Sequence, residues 1–268
     1  MKRTIEQIRE HYEIEKELAS RLMHSSKKER EFLYASLYNE LYRRVPLHPQ
    51  LTEKKSSELT DISVSSQLVF LKHFLRKNMT FCEIGPGDCS LSLALTKIIN
   101  KVYAVDVSEE ISKVKELPDN FHLILSDGVN IPVPKKSVNL VYSNQLMEHL
   151  HPEDAKNQLV NIFNILTDDG KYLCVTPNRI NGPHDISKYF DRVATGFHLK
   201  EYTFSELRSL FKKVGFMKVQ GYWGGRGIFI RTPAFLIILV ERLFNYFPFS
   251  IKKNRFNTIL SIRIVGIK

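Results

Sequence analysis

From Met79 onward the sequence predicts an α/β fold, a mostly parallel sheet with helices on both faces. Two observations predict it. Short apolar runs alternate with helical stretches along residues 79–222, the order in which parallel sheets are wound, because each crossover helix packs back on the sheet. The first of these strands also runs into a glycine-containing turn with a helix directly behind it, the junction where such sheets bind ligands. A third observation sets the N-terminal part aside as helical. Up to about residue 44, apolar residues recur at spacings near three and four, and no glycine intervenes.

Ile5, Ile8, Tyr12, Leu18, Leu22, Phe32, Leu33, Leu37 and Leu41 carry that periodicity, and Pro46 and Pro49 end it. Proline fixes its own φ and disfavours helix at the residue before it. A further helix is expected over about 65–76. Strands follow at 81–84, 102–105, 122–125, 138–142 and 171–175, with helices between them at about 90–99, 111–117 and 153–166 and a turn at 167–170. A helix over 205–214, closed by Gly215 as its C-cap, leads to a strand at 217–222. An aromatic-rich helix at about 233–247 and a strand at 260–267 complete the chain. Residues 1–64 therefore read as a helical N-terminal extension. Residues 65–268 read as one domain, with 223–258 inserted before its last strand.

Composition excludes several classes. Apolar residues make up 43% of the 268 residues, enough for a sizeable core. Cys82, Cys89 and Cys174 are too scattered for a disulfide framework, and no C-x-x-C or Cys/His spacing suggests a structural zinc. No metal is expected. The charged N-terminus lacks the apolar stretch of a signal peptide, and the longest apolar run, 232–240, is far short of the roughly 20 residues a spanning helix needs. The expectation is a cytoplasmic protein. The net charge of +10 resides entirely after residue 199, where 13 Lys/Arg face 3 Asp/Glu. Such asymmetry points to an anionic partner or to a solvated basic surface.

The most informative run is 81–91, F-C-E-I-G-P-G-D-C-S-L. Gly85 and Gly87 let the backbone turn tightly and approach a ligand where a Cβ would clash. Glu83 is an acid at the end of a buried strand, costly unless it meets a donor. Asp106 ends the second strand, where an acid accepts both hydroxyls of a ribose. Asp127, between Ser126 and Gly128 after the third strand, is placed to accept from an adenine amino group. One acid thus stands at the end of each of three successive strands.

Together these residues resemble the class I S-adenosylmethionine-dependent methyltransferases, in the small-molecule branch. E-I-G-P-G resembles their first motif, A-V-D-V-S (with Asp106 and Val107) the end of their second strand, and S-D-G their acidic turn. Residues 142–150, Y-S-N-Q-L-M-E-H-L, resemble the segment lining the methionine end of the cofactor, which implies roles for Asn144 and His149. The turn 167–170 and the V-T-P-N run after it resemble the family's fifth strand. The resemblance implies a Rossmann-like, seven-stranded, mostly parallel sheet in the order 3-2-1-4-5-7-6, with S-adenosylmethionine as cofactor and the N-terminal helices as a lid over the site. A nicotinamide-dependent dehydrogenase shares the G-x-G and the downstream acid. Ser90 in place of a third glycine, Glu83 and the S-D-G turn all favour the methyl donor.

The acceptor side is expected in the long loop after the fifth strand, 176–202. Methyl transfer from a sulfonium is an in-line displacement, and a hydroxyl acceptor also needs a base. His184, beside Asp185, and His198 are the candidate catalytic bases. Arg179 and Arg192 would pair with an acidic group of the substrate, and Tyr202 would border it. Residues 228–256 interleave seven aromatics with five basic residues, as an in-plane membrane helix would near a lipid-linked substrate. RNA could use the same residue types, but no RNA-binding module accompanies them, so nucleic acid is not expected. The reading is a methyltransferase acting on a small or lipid-linked metabolite, at oxygen. The alternatives are an RNA or protein methyltransferase drawn by the basic quarter, and a cofactor-binding protein without catalysis.

Overall fold

In a computed structural model, residues 3–52, 57–107, 117–225, 227–247 and 260–268 are described. The helices are α1 (Ile5–Met23), α2 (Lys27–Arg44), α3 (Pro49–Thr52), α4 (Ser57–Leu71), α5 (Ser90–Leu95), α6 (Pro152–Ile165), α7 (Phe204–Val214) and α8 (Ala234–Asn245). The strands are β1 (Thr80–Ile84), β2 (Lys101–Asp106), β3 (Phe121–Leu125), β4 (Val138–Asn144), β5 (Leu166–Thr176), β6 (Lys218–Gly225), β7 (Ile228–Thr232) and β8 (Ile262–Ile267). They form one sheet in the order β3-β2-β1-β4-β5-β8-β6-β7. The pairs from β3 through β5 are parallel, and β8 runs antiparallel between β5 and β6. Seven of these strands reproduce the expected order, with β8 as the expected seventh.

The sequence reading needs correction in four places. The sheet has an eighth strand, β7, pairing antiparallel with β6 at the open edge. Its run I-F-I-R-T follows a glycine-rich stretch and forms a hairpin, where the reading placed only an inserted segment. The N-terminal helix is two helices, because Ser26 starts a new one by accepting from Glu29 N–H in a capping box. The helix expected at 65–76 instead begins at Ser57 and ends at Leu71. The turn expected at 167–170 is absorbed into a lengthened β5, with a register shift against β4 and Asp169 at φ 64°. The helix expected at 111–117 falls largely outside the described residues, as does the basic-aromatic stretch 248–259.

Alternation along the strands sorts side chains into two cores. Cys82 and Ile84 of β1 join α1, α2, α6 and α7 on one face. Phe81 packs on the other face with α4 and α5 through Phe70, Leu91 and Leu95. Ionic contacts then tie α2 to the first layer. Buried Arg30 grips Asp154 of α6 with Nε at 2.6 Å and Nη2 at 3.2 Å, and also reaches Glu153 and the Ser25 carbonyl. Tyr34 donates to the same Asp154 and accepts from His151 N–H.

The last helix is held by an acid. Buried Glu241 accepts from Asn178 Nδ2 and from the backbone N–H groups of Phe204 and Ser205 at the start of α7, and Ile237 packs inward beside it. The opposite side of α8 leaves Phe235, Leu239, Leu243 and Tyr246 in solvent. Among the described residues no helix is long and apolar enough to cross a membrane.

Candidate functional site

A cleft of about 760 Å³ opens beyond the carboxyl ends of β1 and β2, next to the point where the strand order reverses. This is where open α/β sheets bind ligands, and the volume suits a nucleoside-bearing one. Gly85, Gly87, Asp106, Val107, Ser126, Gly128 and His149 all line it. Gly85 and Gly87 have φ of 67° and 60°, in the region where a side chain is strained. A Cβ on Gly85 would lie 3.0 Å from the Leu146 side chain, so the turn is also filled from behind. Asp106 stands at the cleft margin with its carbonyl accepting from Ser126 N–H, which ties the β2 and β3 loops together.

Three expected residues are placed otherwise. Glu83 is buried on the α5 side of β1 and accepts from Ser92 Oγ; burial pushes its pKa up to about 8. Asp127 turns its carboxylate onto its own loop, accepting from Val129 N–H, Asn130 N–H and the Asn130 amide. Its neighbours Ser126 and Gly128 line the cleft, and Asp127 borders a separate depression beside Arg30 and Asn161. Asn144 donates to Gln67 of α4, away from the cleft lining.

The sequence reading puts the N-terminal helices over the site but does not single out Tyr34 and Tyr38 of α2, which form one wall of the cleft. Tyr34, Tyr38 and Tyr42, one helical turn apart on α2, line it together with Ala35 and Asn39. Their four-residue spacing was the available signal. Tyr38 stacks on Phe197 at 4.9 Å and lies 3.1 Å from His149 Nδ1. Gln158 of α6 also borders the cleft and donates to the Gly128 carbonyl.

The loop after β5 builds a second, smaller cavity of about 200 Å³, lined by Arg179, Arg192, His198, Lys200 and Glu201 among others. His198 is the hinge between the two cavities. Its ring meets that of His149 edge to face, centroids 4.8 Å apart, and His149 lines the large cleft. His198 Nδ1 lies 2.7 Å from Glu201 Oε1. Burial alone would depress its pKa, but Glu201, Glu148 and Asp185 outweigh that and raise it. Burial and the neighbouring His198 push the pKa of His149 down to about 3.

His184 and Tyr202 do not share this position. The His184 ring donates through Nε2 to the Asn178 carbonyl, and its backbone N–H donates to Glu201. It thereby fixes the loop. Tyr202 is buried, and its carbonyl accepts from Arg179 N–H. Arg179 pairs at 3.1 Å with Glu206 at the cavity mouth. Asp185 and Asp191 are taken by other donors: Asp185 by Ser187 and Gly196 N–H, Asp191 by Tyr12 and Thr195.

A sequence profile of the methyltransferase domain matches residues 62–220. No curated protein sequence matches the chain. Among solved structures the fold is similar to that of an S-adenosylmethionine-dependent methyltransferase from Archaeoglobus fulgidus, at 17% identity, 78% of this chain, 94% of that one and a TM-score of 0.56. It is also similar to phosphoethanolamine N-methyltransferase 1 of Haemonchus contortus, at 17% identity over 91% of this chain and 50% of that one, with a TM-score of 0.57. An S-adenosylmethionine-dependent methyltransferase from Thermotoga maritima gives 14% identity, 89% and 97% coverage and a TM-score of 0.54. At these identities the likeness is one of fold.

Proposed function

Because the chain belongs to the methyltransferase domain family, we propose that this S-adenosylmethionine-dependent enzyme methylates an oxygen of a small or lipid-linked metabolite. The observation that carries the reading is the histidine wall. It separates the cofactor cleft from a cavity rimmed by Arg179, Arg192 and Lys200, so an anionic acceptor held at the rim reaches toward the cleft past His149 and His198.

The bound cofactor supplies a methyl group on a sulfonium, open to displacement by a nucleophile. Asp106 takes the ribose hydroxyls, and the turn at Gly85 and Gly87 lets the backbone close on the ligand. The α2 tyrosines act as a lid that excludes water. The acceptor oxygen forms its new bond to the methyl carbon as the carbon–sulfur bond breaks, and its proton must leave. Activation of that hydroxyl is assigned to His198, held by Glu201. His184 is a positioning residue of the loop.

A panel of hydroxylated, phosphorylated or carboxylated acceptors with radiolabelled donor would test this. His198→Ala should lower kcat about a hundredfold or more while donor affinity stays within a factor of two or three. His184→Ala should act mainly on acceptor KM. Equal, modest effects of both changes on kcat would sink the assignment.

The lipid-linked part of the reading rests on α8. Phe235, Leu239, Leu243 and Tyr246 form one exposed apolar stripe, with Arg231 and Arg242 also exposed nearby. Such a helix lies in an anionic membrane surface, each basic residue adding about 1 kcal/mol that salt attenuates. Sedimentation with phosphatidylserine-containing vesicles should show binding at low salt that fades as salt rises, and Phe235→Ser with Leu239→Ser should abolish it. Background sedimentation of the unaltered protein would refute membrane contact and leave the methyl transfer reading intact.

A further inference from the structure

We propose that Glu148, His149 and His198 form a binding site for one divalent transition-metal cation, set in the wall between the two cavities. The proposal rests on the assignment of acceptor activation to that wall; with a cation bound, His198 is its ligand and the cation, in place of the imidazole, activates the hydroxyl.

One ligand atom from each of the three residues lies within 4.8 Å of the others. A cation with bonds of about 2.1 Å sets tetrahedral ligands about 3.4 Å apart, so the atoms must draw in by up to about 1.4 Å to close on it. What surrounds them is arranged as around a ligand set. His149 Nδ1 donates to the Phe197 carbonyl at 3.0 Å and meets the Tyr38 hydroxyl at 3.1 Å, which leaves Nε2 without a hydrogen-bond partner among the described residues. His198 Nδ1 donates to Glu201 at 2.7 Å, which again leaves Nε2. Metal-binding histidines are commonly oriented by such a bond from the other ring nitrogen to a carbonyl or carboxylate. Glu148 Oε2 accepts from Thr176 Oγ1 at 2.8 Å, whereas Glu148 Oε1 is fully buried without any hydrogen-bond partner. A buried carboxylate oxygen left unpaired is costly, and a cation removes that cost.

Charge points the same way. Glu201 accepts from His198 and Glu148 lies beside both histidines, so two carboxylates face the imidazole pair. Two imidazoles and one carboxylate with the remaining positions open suit Fe(II), Mn(II), Co(II) or Zn(II). At that place the cation coordinates the acceptor hydroxyl and lowers its pKa. The proton would pass to solvent or to a nearby carboxylate, and the alkoxide would take the methyl carbon as its bond to sulfur breaks, the electron pair leaving on the thioether.

A second group of the same residue types, His11, Glu15 and His48, does not qualify. Both nitrogens of His11 are engaged, Nδ1 by the Arg3 guanidinium at 2.8 Å and Nε2 by Glu15 at 3.0 Å. Glu15 also accepts from Phe197 N–H, and the arginine opposes a cation.

The test uses the 268-residue chain stripped with chelator and titrated with Co²⁺ by visible absorption and with Zn²⁺ by calorimetry, without methyl donor. One equivalent should bind, with d–d bands of mixed nitrogen and oxygen ligation. Glu148→Gln and His198→Gln should each weaken binding at least tenfold, while His11→Gln leaves it unchanged. Binding of S-adenosylhomocysteine verifies that each variant is folded, and any variant failing it is replaced by Thr176→Val, which should weaken the metal through Glu148. Absence of stoichiometric binding in protein that binds S-adenosylhomocysteine overturns the site, as does binding indifferent to changes at Glu148 and His198. Either failure leaves methyl transfer itself standing, since the assay with radiolabelled donor reads that separately.

Discussion

Asp106→Ala is expected to weaken binding of S-adenosylhomocysteine roughly a hundredfold, equivalent to about 2.7 kcal/mol. Asp106 sits at the end of β2 on the cleft margin, and on the proposed reading its carboxylate accepts from both ribose hydroxyls. Hydrogen bonds to a charged acceptor contribute about 1.5–3 kcal/mol each, and alanine removes both. Asp106→Asn should fall between, because the amide keeps one acceptor and loses the charge. Calorimetry on the three proteins measures the series. An alanine variant that binds the ligand within threefold of the unaltered protein would show that the ribose lies elsewhere.

Asp154→Ala is expected to destabilise the fold by about 3 kcal/mol, the lower end of the usual cost of breaking a buried ion pair, because Arg30 keeps the exposed Glu153 as a partner. Arg30 and Asp154 have side chains only 3% and 1% exposed, and their contact is bidentate. The same change strips Tyr34 of its acceptor, so the cleft wall should loosen and ligand affinity should fall with stability. Replacing both residues, Arg30→Met with Asp154→Leu, should recover much of the loss, since an apolar pair buries no unmatched charge. Urea unfolding monitored by circular dichroism decides the matter. A loss below about 1 kcal/mol for Asp154→Ala would mean that water reaches Arg30 readily.

The sheet and cleft were legible in the sequence because their signals are local. A strand that ends in glycine or in an acid announces its carboxyl end, and those ends are where the ligand lies. Which side chain then turns inward was not legible. Asp127 read as a ligand group, yet two N–H groups of its own turn lie within reach and capture it. Glu83 occupies the strand position whose side faces α5, so alternation alone directs it to Ser92. His198 and His149 are far apart in sequence, and only the return of the loop after β5 brings their rings together. The Arg30–Asp154 contact was equally invisible, because each residue taken alone looks like an ordinary surface charge. The β7 hairpin did leave a trace, a β-branched run behind glycines, and was absorbed into the neighbouring aromatic segment.

The clasp between Arg30 and Asp154 has a consequence for the order in which a nascent chain acquires structure. The first helices leave the ribosome well before their anchor is made, since Arg30 and Asp154 are 124 positions apart. At 5–20 residues per second that interval lasts on the order of ten seconds, during which Leu18, Leu22, Leu37 and Leu41 have no sheet to cover. An isolated helical pair of this kind is marginal in water. The opening segment should therefore remain sensitive to proteases on stalled ribosomes until α6 has emerged, and become resistant only afterwards.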